Sequence, residues 1–435
     1  MVRYRADWPA RIDRWRELAT YALVLAGAFA LPLVFRRDPS AMFRLPKTIF
    51  LRAEAILLIS ITLAAVLAGA PIPRPKWRDV WLLLPLAVLA AFVFLTLTST
   101  NRELSIGALG SAIATAVVFF ATVAAARSGG WLLVAAPLAA AVTNALLVIL
   151  EETKLWMPFG VQAGVSHHLQ CNALIGNPNE VGGYLGAAAL AIVAVIAARD
   201  RTNRWNVRDI LIAAVLVIAL IACQTLTAIL AFAAAVFFMI VISSWRNAVR
   251  VAAVAVITGV LLVSLVAPFR LRAVHVVTWI REGDYNALVT DRLTPFVAAW
   301  SMFTDHPLTG VGPGAFAWQY YDYKIHAEQR YPLLRHAYNR GVNFGEVHND
   351  HLQALAEGGV IGYGAFLALT GALGFLSFTI PPAAPDWRRR FVHHLALPLA
   401  VFWIVLSIAQ FPMETTVIRA LVVHLAALCV AWRNA

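Results

Sequence analysis

Long apolar runs, separated by short polar connections, dominate this chain. Twelve runs begin near Leu18, Thr48, Val80, Ile106, Trp131, Val181, Asp209, Thr227, Val251, Leu352, Leu395 and Ile418. A helix needs about 20 apolar residues to cross a hydrocarbon layer of roughly 30 Å, where its backbone polar groups must bond within the helix. The pattern therefore predicts an all-α polytopic integral membrane protein with about 12 transmembrane helices.

Composition and charge narrow the class further. Apolar residues make up 61% of the 435 positions and charged residues only 13%, whereas soluble proteins average about 45–50% and about 25%. The net charge of +12 comes from basic residues scattered between apolar runs and not gathered on one stripe, so we expect no nucleic-acid partner. The three cysteines lack metal-ligand spacing and predict neither a zinc site nor a disulfide framework.

The Lys and Arg residues between the runs predict how the chain crosses the membrane, because cytoplasmic connections carry the excess. With the N-terminus inside, nineteen cations fall in inner segments and six in the short outer connections. We therefore expect both termini to be cytoplasmic. The first outer connection is an exception, with Arg36, Arg37, Arg44 and Lys47 against Asp38. These cations indicate either an anionic ligand or contact with lipid headgroups.

One connection is far longer than the others and runs from about Pro268 to Asn349 on the predicted outer face, between helices 9 and 10. Loops longer than about 15 residues are usually functional or disordered, and the many Trp and Tyr residues here argue against disorder. Residues 291–305 predict an amphipathic helix, followed by a glycine-rich turn at 310–314. The chain is thus expected to divide into residues 1–267, a large partly helical loop on the outer face at 268–350, and residues 351–435.

The densest group of polar residues ends this loop, as Glu346-Val347-His348-Asn349-Asp350-His351. Histidine titrates near neutral pH, so His348 is a candidate for proton transfer at the membrane–water boundary. A hydrogen bond donated by its ring N–H to Glu346 or Asp350 would fix its tautomer and raise its basicity. The alternative is structural: His348 and Asn349 cap the next helix or lie at the headgroup level.

The residues after this group carry a resemblance to a known family. His348-Asn349 is followed, after nine residues, by Gly359 and, after two more, by Gly362. This spacing resembles the signature of the O-antigen ligase family, and all four defined positions match. Residues 291–316 also resemble the family, and the sequence Gly-Asn-Pro-Asn at 176–179 resembles members of the wider superfamily. Small residues such as these glycines also let a neighbouring helix approach the backbone closely.

The resemblance implies a glycosyltransferase of lipopolysaccharide biosynthesis in the bacterial inner membrane. Its donor would be an undecaprenyl-diphosphate-linked O-antigen glycan and its acceptor a sugar hydroxyl of lipid A-core, at the periplasmic face. No metal and no cofactor are expected, and direct displacement would invert the anomeric centre. O-antigen polymerases and protein O-oligosaccharyltransferases share versions of the signature, so both remain open.

The resemblance and the chemistry together predict the site residues. Charge develops on the departing diphosphate, and the planar guanidinium of arginine binds phosphate oxygens in bidentate fashion. The predicted catalytic residue is His348, as a base or a positioning group, with Asn349, Glu346, Asp350, Gly359 and Gly362 in support. The predicted donor-diphosphate ligands are Arg292 first, then Arg270, Arg272, Arg335, Arg44 and Lys47. One departure concerns the Ser-Arg pair common in the family, because residues 224–227 read Gln-Thr-Leu-Thr.

A secondary transporter is a remote alternative, since it too would have many helices and basic inner loops. Coupled transporters usually bury ionisable groups at the bilayer midplane and are built from matching halves. The predicted spans carry no central Asp, and the large outer connection has no counterpart in the other half of the chain. The pattern therefore favours the enzyme.

Overall fold

Helices form every regular element among the residues that the computed structural model describes, which are 8–36, 42–71, 79–159, 171–199, 206–247, 249–253, 264, 267–334 and 343–435. Helices α1 to α8 are Trp8–Ala30, Arg44–Leu67, Val80–Leu97, Arg102–Ser128, Leu132–Glu152, Pro178–Ala198, Val207–Ala222 and Leu226–Ser243. Helices α9 to α12 are Ala267–Glu282, Tyr285–Leu288, Leu293–Asp305 and Phe316–Arg330. Helices α13 to α15 are Asp350–Leu376, Trp387–Ser407 and Thr416–Trp432.

The prediction of an all-α membrane protein is confirmed. Within the described ranges, nine helices are long and apolar enough to cross a membrane: α1 to α6, α8, α13 and α14. Helix α15 is apolar but shorter, and α7 has 16 residues. Most of the run predicted to begin at Val251 lies outside the described residues. The total of about 12 spans and the placement of both termini stay predictions.

Helix α6 is the centre of the bundle and is buried along most of its length. It packs against α5, α7, α8, α14 and α15. Its small residues permit this: a Cβ on Gly183 would lie 2.7 Å from Cδ1 of Ile418, and one on Gly186 would lie 2.8 Å from Cε2 of Phe402. In lipid, close van der Waals packing replaces the hydrophobic effect as the force that joins helices. Helix α6 thereby connects the two ends of the bundle through its core.

The start of α6 explains the Gly-Asn-Pro-Asn sequence. The side chain of Asn177 accepts a hydrogen bond from the backbone N–H of Asn179 at 2.8 Å, and Pro178 occupies the first helical turn, where a missing N–H costs nothing. Gly176 has a φ of 110°, which favours glycine. This cap fixes the direction in which α6 enters the bundle and so places Glu180 in its first turn.

The long connection has an apolar core of its own. Helix α11 confirms the amphipathic helix predicted at 291–305, although it begins at Leu293. Its buried face, with Ala298 and Met302, packs with Phe316, Tyr320 and Val347 in a cluster separate from the core of the bundle. The division of the chain at 268 and 350 stays a prediction. This second core sets the position of α11 beside the start of α13.

Candidate functional site

Several elements meet at one end of the bundle: the starts of α2, α6 and α13, and the connection between α14 and α15. Arg44 joins three of them. Its Nε donates to Oε1 of Glu180 at 2.8 Å, and its Nη1 donates to Oε1 of Glu346 at 2.5 Å. Its guanidinium also lies over the ring of Phe411, 5.0 Å from the centroid. Arg44 therefore ties the end of the large connection to the bundle.

His348 lies within this group of residues. Its imidazole is half-buried and packs edge-to-face against Phe411, with centroids 4.7 Å apart, and against Phe344 at 5.8 Å. Its backbone has a φ of 62°, in the left-handed region that residues other than glycine seldom adopt. Such strained residues cluster at functional sites, where the surrounding structure holds them. The geometry thus marks His348 independently of the sequence signature.

The electrostatic environment of His348 keeps its ring neutral. Burial, together with the guanidinium groups of Arg292 and Arg44, lowers the pKa of His348 to about 4. Both causes disfavour the imidazolium, because burial removes water and the nearby cations repel a further positive charge. At neutral pH the ring is therefore an unprotonated imidazole, with one nitrogen free to accept a proton.

Arg292 reaches the same place from the large connection. The buried side chain of Asn286 holds the turn before α11: its Nδ2 donates to Oδ1 of Asp291 at 2.8 Å, and its Oδ1 accepts from the N–H of Leu293 at 3.2 Å. The guanidinium of Arg292 donates from Nη1 to the carbonyl oxygen of Ala409 at 3.1 Å. Among the residues that the structure describes, no carboxylate pairs with Arg292. Burial lowers its pKa, but an arginine side chain stays charged in proteins.

The two carboxylates expected to orient His348 bond to other groups in the described part of the chain, and their orienting role stays a prediction. Glu346 accepts from Arg44, and Oδ2 of the buried Asp350 accepts from the N–H of Met413 at 2.8 Å. Asn349 fulfils the capping alternative: its Oδ1 accepts from the N–H of Leu352 at 3.0 Å. Its Nδ2 also donates to the carbonyl oxygen of Ile408 at 2.8 Å, which fixes α13 to the end of α14.

The other cations predicted to bind the donor differ in their burial and in their contacts. Lys47 is buried, and its ammonium donates to the carbonyl oxygens of Leu174 at 2.7 Å, Val34 at 2.8 Å and Phe43 at 3.3 Å, which uses all three of its N–H groups. Arg270 is exposed on α9, and no described contact joins it to His348. The backbone of Arg272 lies in α9, but its side chain, like the whole of Arg335, is outside the described residues.

The glycine-rich turn is bonded to the helix that follows His348. We call residues 306–316 the strap. The N–H of Val311 donates to the carbonyl oxygen of Ala356 at 2.8 Å, and that of Val360 donates to Pro307 at 2.9 Å. Glu357 accepts from the N–H groups of Gly314 at 2.9 Å and Phe316 at 3.1 Å. The strap thereby joins α11, which follows Arg292, to the helix that begins beside His348.

Gly359 makes this pairing possible. It has a φ of 57° and a ψ of −154°, which interrupts the helical geometry of α13 and frees its backbone for the strap. This conformation is essentially restricted to glycine. A Cβ here would lie 2.4 Å from the carbonyl carbon of Leu308. Gly362 differs, because a Cβ there would meet Ala354 and Leu95 only at 3.4 Å. The first glycine of the signature therefore has a strict backbone role, and the second a milder packing role.

Gly359→Ala should strongly destabilise the protein. The added methyl would clash with the backbone of the strap and would occupy a strained conformation, which together cost about 3 kcal/mol or more. Thermal unfolding of the purified protein in detergent should show a midpoint lower by several degrees. Gly364→Ala is the matched control on the same helix, since a Cβ there meets nothing within 4 Å. Equal midpoints for the two variants would contradict the role assigned to Gly359.

Sequence reasoning missed several residues of this site. Glu180 lies two residues after Pro178, and recognition of the Asn177 cap would have placed it in the first helical turn. Asn286, Phe411 and the carbonyl group of Ala409 gave no signal, because each acts through a contact with a residue distant in the chain.

Comparison with known proteins gives one match. Residues 210–367 match the family model described as O-Antigen ligase. The matched range runs from α7 into α13 and includes Arg292, His348, Gly359 and Gly362. No curated protein matches the chain significantly.

Proposed function

Because the match over residues 210–367 places the chain in the O-antigen ligase superfamily of membrane glycosyltransferases, we propose that it transfers an undecaprenyl-diphosphate-linked O-antigen glycan to lipid A-core. The reaction would complete lipopolysaccharide at the periplasmic face of the inner membrane. One observation carries the residue assignment: His348 packs on Phe411, and Arg292, which has no carboxylate partner in the described part of the chain, donates to Ala409, two residues from Phe411. Burial and the nearby guanidinium groups lower the pKa of His348 to about 4.

The proposed step is a direct displacement. An acceptor hydroxyl oxygen attacks the anomeric carbon of the donor, and the bond from that carbon to the diphosphate oxygen breaks. The hydroxyl proton passes to the free nitrogen of His348, and the electron pair leaves with undecaprenyl diphosphate. Arg292 would bind the departing diphosphate, where negative charge increases during the step. Attack opposite the leaving group inverts the anomeric centre.

Arg44 would have a positioning role in this scheme. Its guanidinium is already engaged by Glu180 and Glu346, so a donor phosphate would have to compete with two carboxylates. Its contacts hold the residues before His348 against the bundle and present the ring of Phe411 to the imidazole. We therefore assign Arg292, and not Arg44 or Lys47, as the principal donor ligand.

Donor binding would also change the proton affinity of His348. The free site depresses the pKa of His348 partly through the charges of Arg292 and Arg44. A bound diphosphate would neutralise those charges and so raise the pKa toward its usual range. The histidine would therefore become a stronger base once the donor is bound, so that proton removal would occur mainly in the enzyme–donor complex.

The deciding experiment is a gel assay of the purified full chain. Wild type and His348→Ala are incubated with polyprenyl-diphosphate-linked glycan repeats, with and without lipid A-core, in the presence of EDTA. We expect product only when lipid A-core is present and only with wild type. Such a result would support a metal-independent ligase that depends on His348.

Other outcomes would replace the ligase assignment. A ladder of lengthened lipid-linked glycan without lipid A-core would make the enzyme a polymerase. Transfer to an added acceptor protein would make it a protein O-oligosaccharyltransferase. Activity that disappears with EDTA and returns with a divalent cation would contradict the metal-independent step.

A further inference from the structure

A cavity lies at the opposite end of the bundle from His348. It has a volume of about 450 Å³ and is formed where α6 ends and α5, α7 and α14 begin. Helix α6 has 21 residues, so at 1.5 Å per residue about 30 Å separate this cavity from the site around Glu180. The polar and aromatic residues of its wall are Trp131, Arg199, Arg208, Trp387, Arg388 and Arg390.

The described wall of the cavity carries four arginines, and most of them are engaged by neighbouring groups. Arg199 and Arg208 both pair with the buried carboxylate of Asp209, at 2.7 Å and 3.0 Å from their Nε atoms. Arg390 is used by the fold, since it donates to the carbonyl oxygens of Ala198, Ala384 and Pro385. Asp386 caps α14 with its side chain. Arg199, Arg208 and Arg390 are thus held by contacts within the described part of the fold.

Arg388 is the cation with unused hydrogen-bonding capacity. Its Nε atom is buried and has no hydrogen-bond partner among the described residues. A guanidinium offers five N–H donors in a planar fork that matches the oxygens of a phosphate. A buried polar group without a partner costs free energy, which a bound acceptor would recover. The position of Arg388 in the cavity wall lets a bound phosphate oxygen accept from this Nε.

The rest of the wall suits a lipid. Trp131 and Trp387 are half-buried, and the guanidinium of Arg208 lies over the Trp131 ring at 5.2 Å. Tryptophan is enriched at the level of lipid headgroups, where one side of the ring is apolar and the other wet. Val195 and Ala198 give the cavity an apolar side next to the arginines. A headgroup phosphate and the upper part of an acyl chain would both find partners here.

We propose that this cavity binds the phosphate of an anionic phospholipid from the leaflet opposite His348. Basic pockets between transmembrane helices on the cytoplasmic side are typical sites for such headgroups, and the sequence predicts that this end is cytoplasmic. Arg388 contacts the phosphate, Arg208 adds its positive charge beside Trp131, and the tryptophans pack against the glycerol and acyl carbons. The site is separate from the donor site and does not depend on the reaction assigned to the enzyme.

The test is lipid binding by the full chain. Delipidated protein in detergent is titrated with phosphatidylglycerol, and bound lipid is counted by native mass spectrometry, with phosphatidylcholine as the neutral comparison. We expect selective binding of phosphatidylglycerol, weakened about fivefold by Arg388→Gln and about 25-fold by Arg388→Gln with Arg208→Gln. Arg246→Gln removes the same charge from an exposed position at the end of α8 and should leave binding unchanged.

Three results would overturn the proposal. One is equal affinity of wild type and the double variant while both keep the same thermal unfolding midpoint. Another is an equal loss with Arg246→Gln, which would mean that net charge alone attracts the lipid. The third is displacement of phosphatidylglycerol by an equal concentration of inorganic phosphate, which would make the ligand a free anion.

Discussion

His348→Ala should lower the rate of glycan transfer by about 10²–10⁴-fold, the usual contribution of one general base. In the proposed step the imidazole accepts the hydroxyl proton, and the described residues around it offer aromatic rings and guanidinium groups that cannot replace it. The measurement is the initial rate of product formation with purified protein. A loss below about tenfold would indicate that the ring positions the acceptor and does not remove its proton.

The left-handed backbone of His348 calls for a second variant that removes the imidazole without adding backbone strain. Because its φ is 62°, alanine would add strain, whereas asparagine tolerates this conformation. His348→Asn should lose activity as His348→Ala does and keep the wild-type unfolding midpoint. His306→Ala is the matched control, an exposed histidine of the same long connection, and should retain activity. Full activity of His348→Asn would contradict the assignment of His348 as the base.

The pH dependence follows from the lowered pKa. In the free enzyme His348 titrates near 4, so kcat/KM should stay flat from pH 8 to about pH 5 and fall as protonation removes the base below that. The corresponding decline of kcat should occur at higher pH, because a bound diphosphate raises the pKa. A kcat/KM profile that falls near pH 6.5 would show that burial and the two arginines do not lower the pKa of His348.

Arg292→Ala should reduce kcat/KM by about 10²–10³-fold, the effect typical of removing one preorganised donor to developing charge. The guanidinium has a single described contact, the carbonyl group of Ala409, and is otherwise free to bind phosphate oxygens. The measurement is steady-state transfer at varied donor concentration. Product release as undecaprenyl diphosphate provides a second readout of the same step.

Arg292→Lys separates charge from geometry. Lysine keeps the charge but lacks the planar fork, so we expect this variant to recover only part of the activity. Recovery of the full wild-type rate would refute bidentate binding. Arg281→Ala removes an exposed arginine near the end of α9 and should leave kcat/KM unchanged.

The helices could be predicted from the sequence because the length of an apolar run decides whether a segment spans a membrane. Helix boundaries were less predictable: α6 begins at Pro178 and not at Val181, since the Asn177 cap and the proline extend it into polar sequence. The amphipathic helix before the strap was also predictable, because its apolar face follows the helical period.

The contacts that build the site could not be predicted from the sequence. Arg44 lies 136 residues from Glu180 and 302 from Glu346, and no local pattern reports such pairings. The expectation that Glu346 or Asp350 orients His348 rested on proximity in the chain. The structure adds contacts that proximity does not report: the backbone at His348 is left-handed, Glu346 bonds to Arg44, and Asp350 bonds to the N–H of Met413.

The strap joins α11, which follows Arg292, to α13, which begins beside His348, so that these two parts of the site should open only together. Its backbone hydrogen bonds to α13 mean that α11 cannot separate from the helix after His348 unless several of these bonds break together. The amide hydrogens of Val311, Gly312 and Val360 should therefore exchange with deuterium at similar, slow rates, although two of them belong to an irregular turn. Local opening that exposed one of these amides would at the same time take apart the pairing of base and donor ligand.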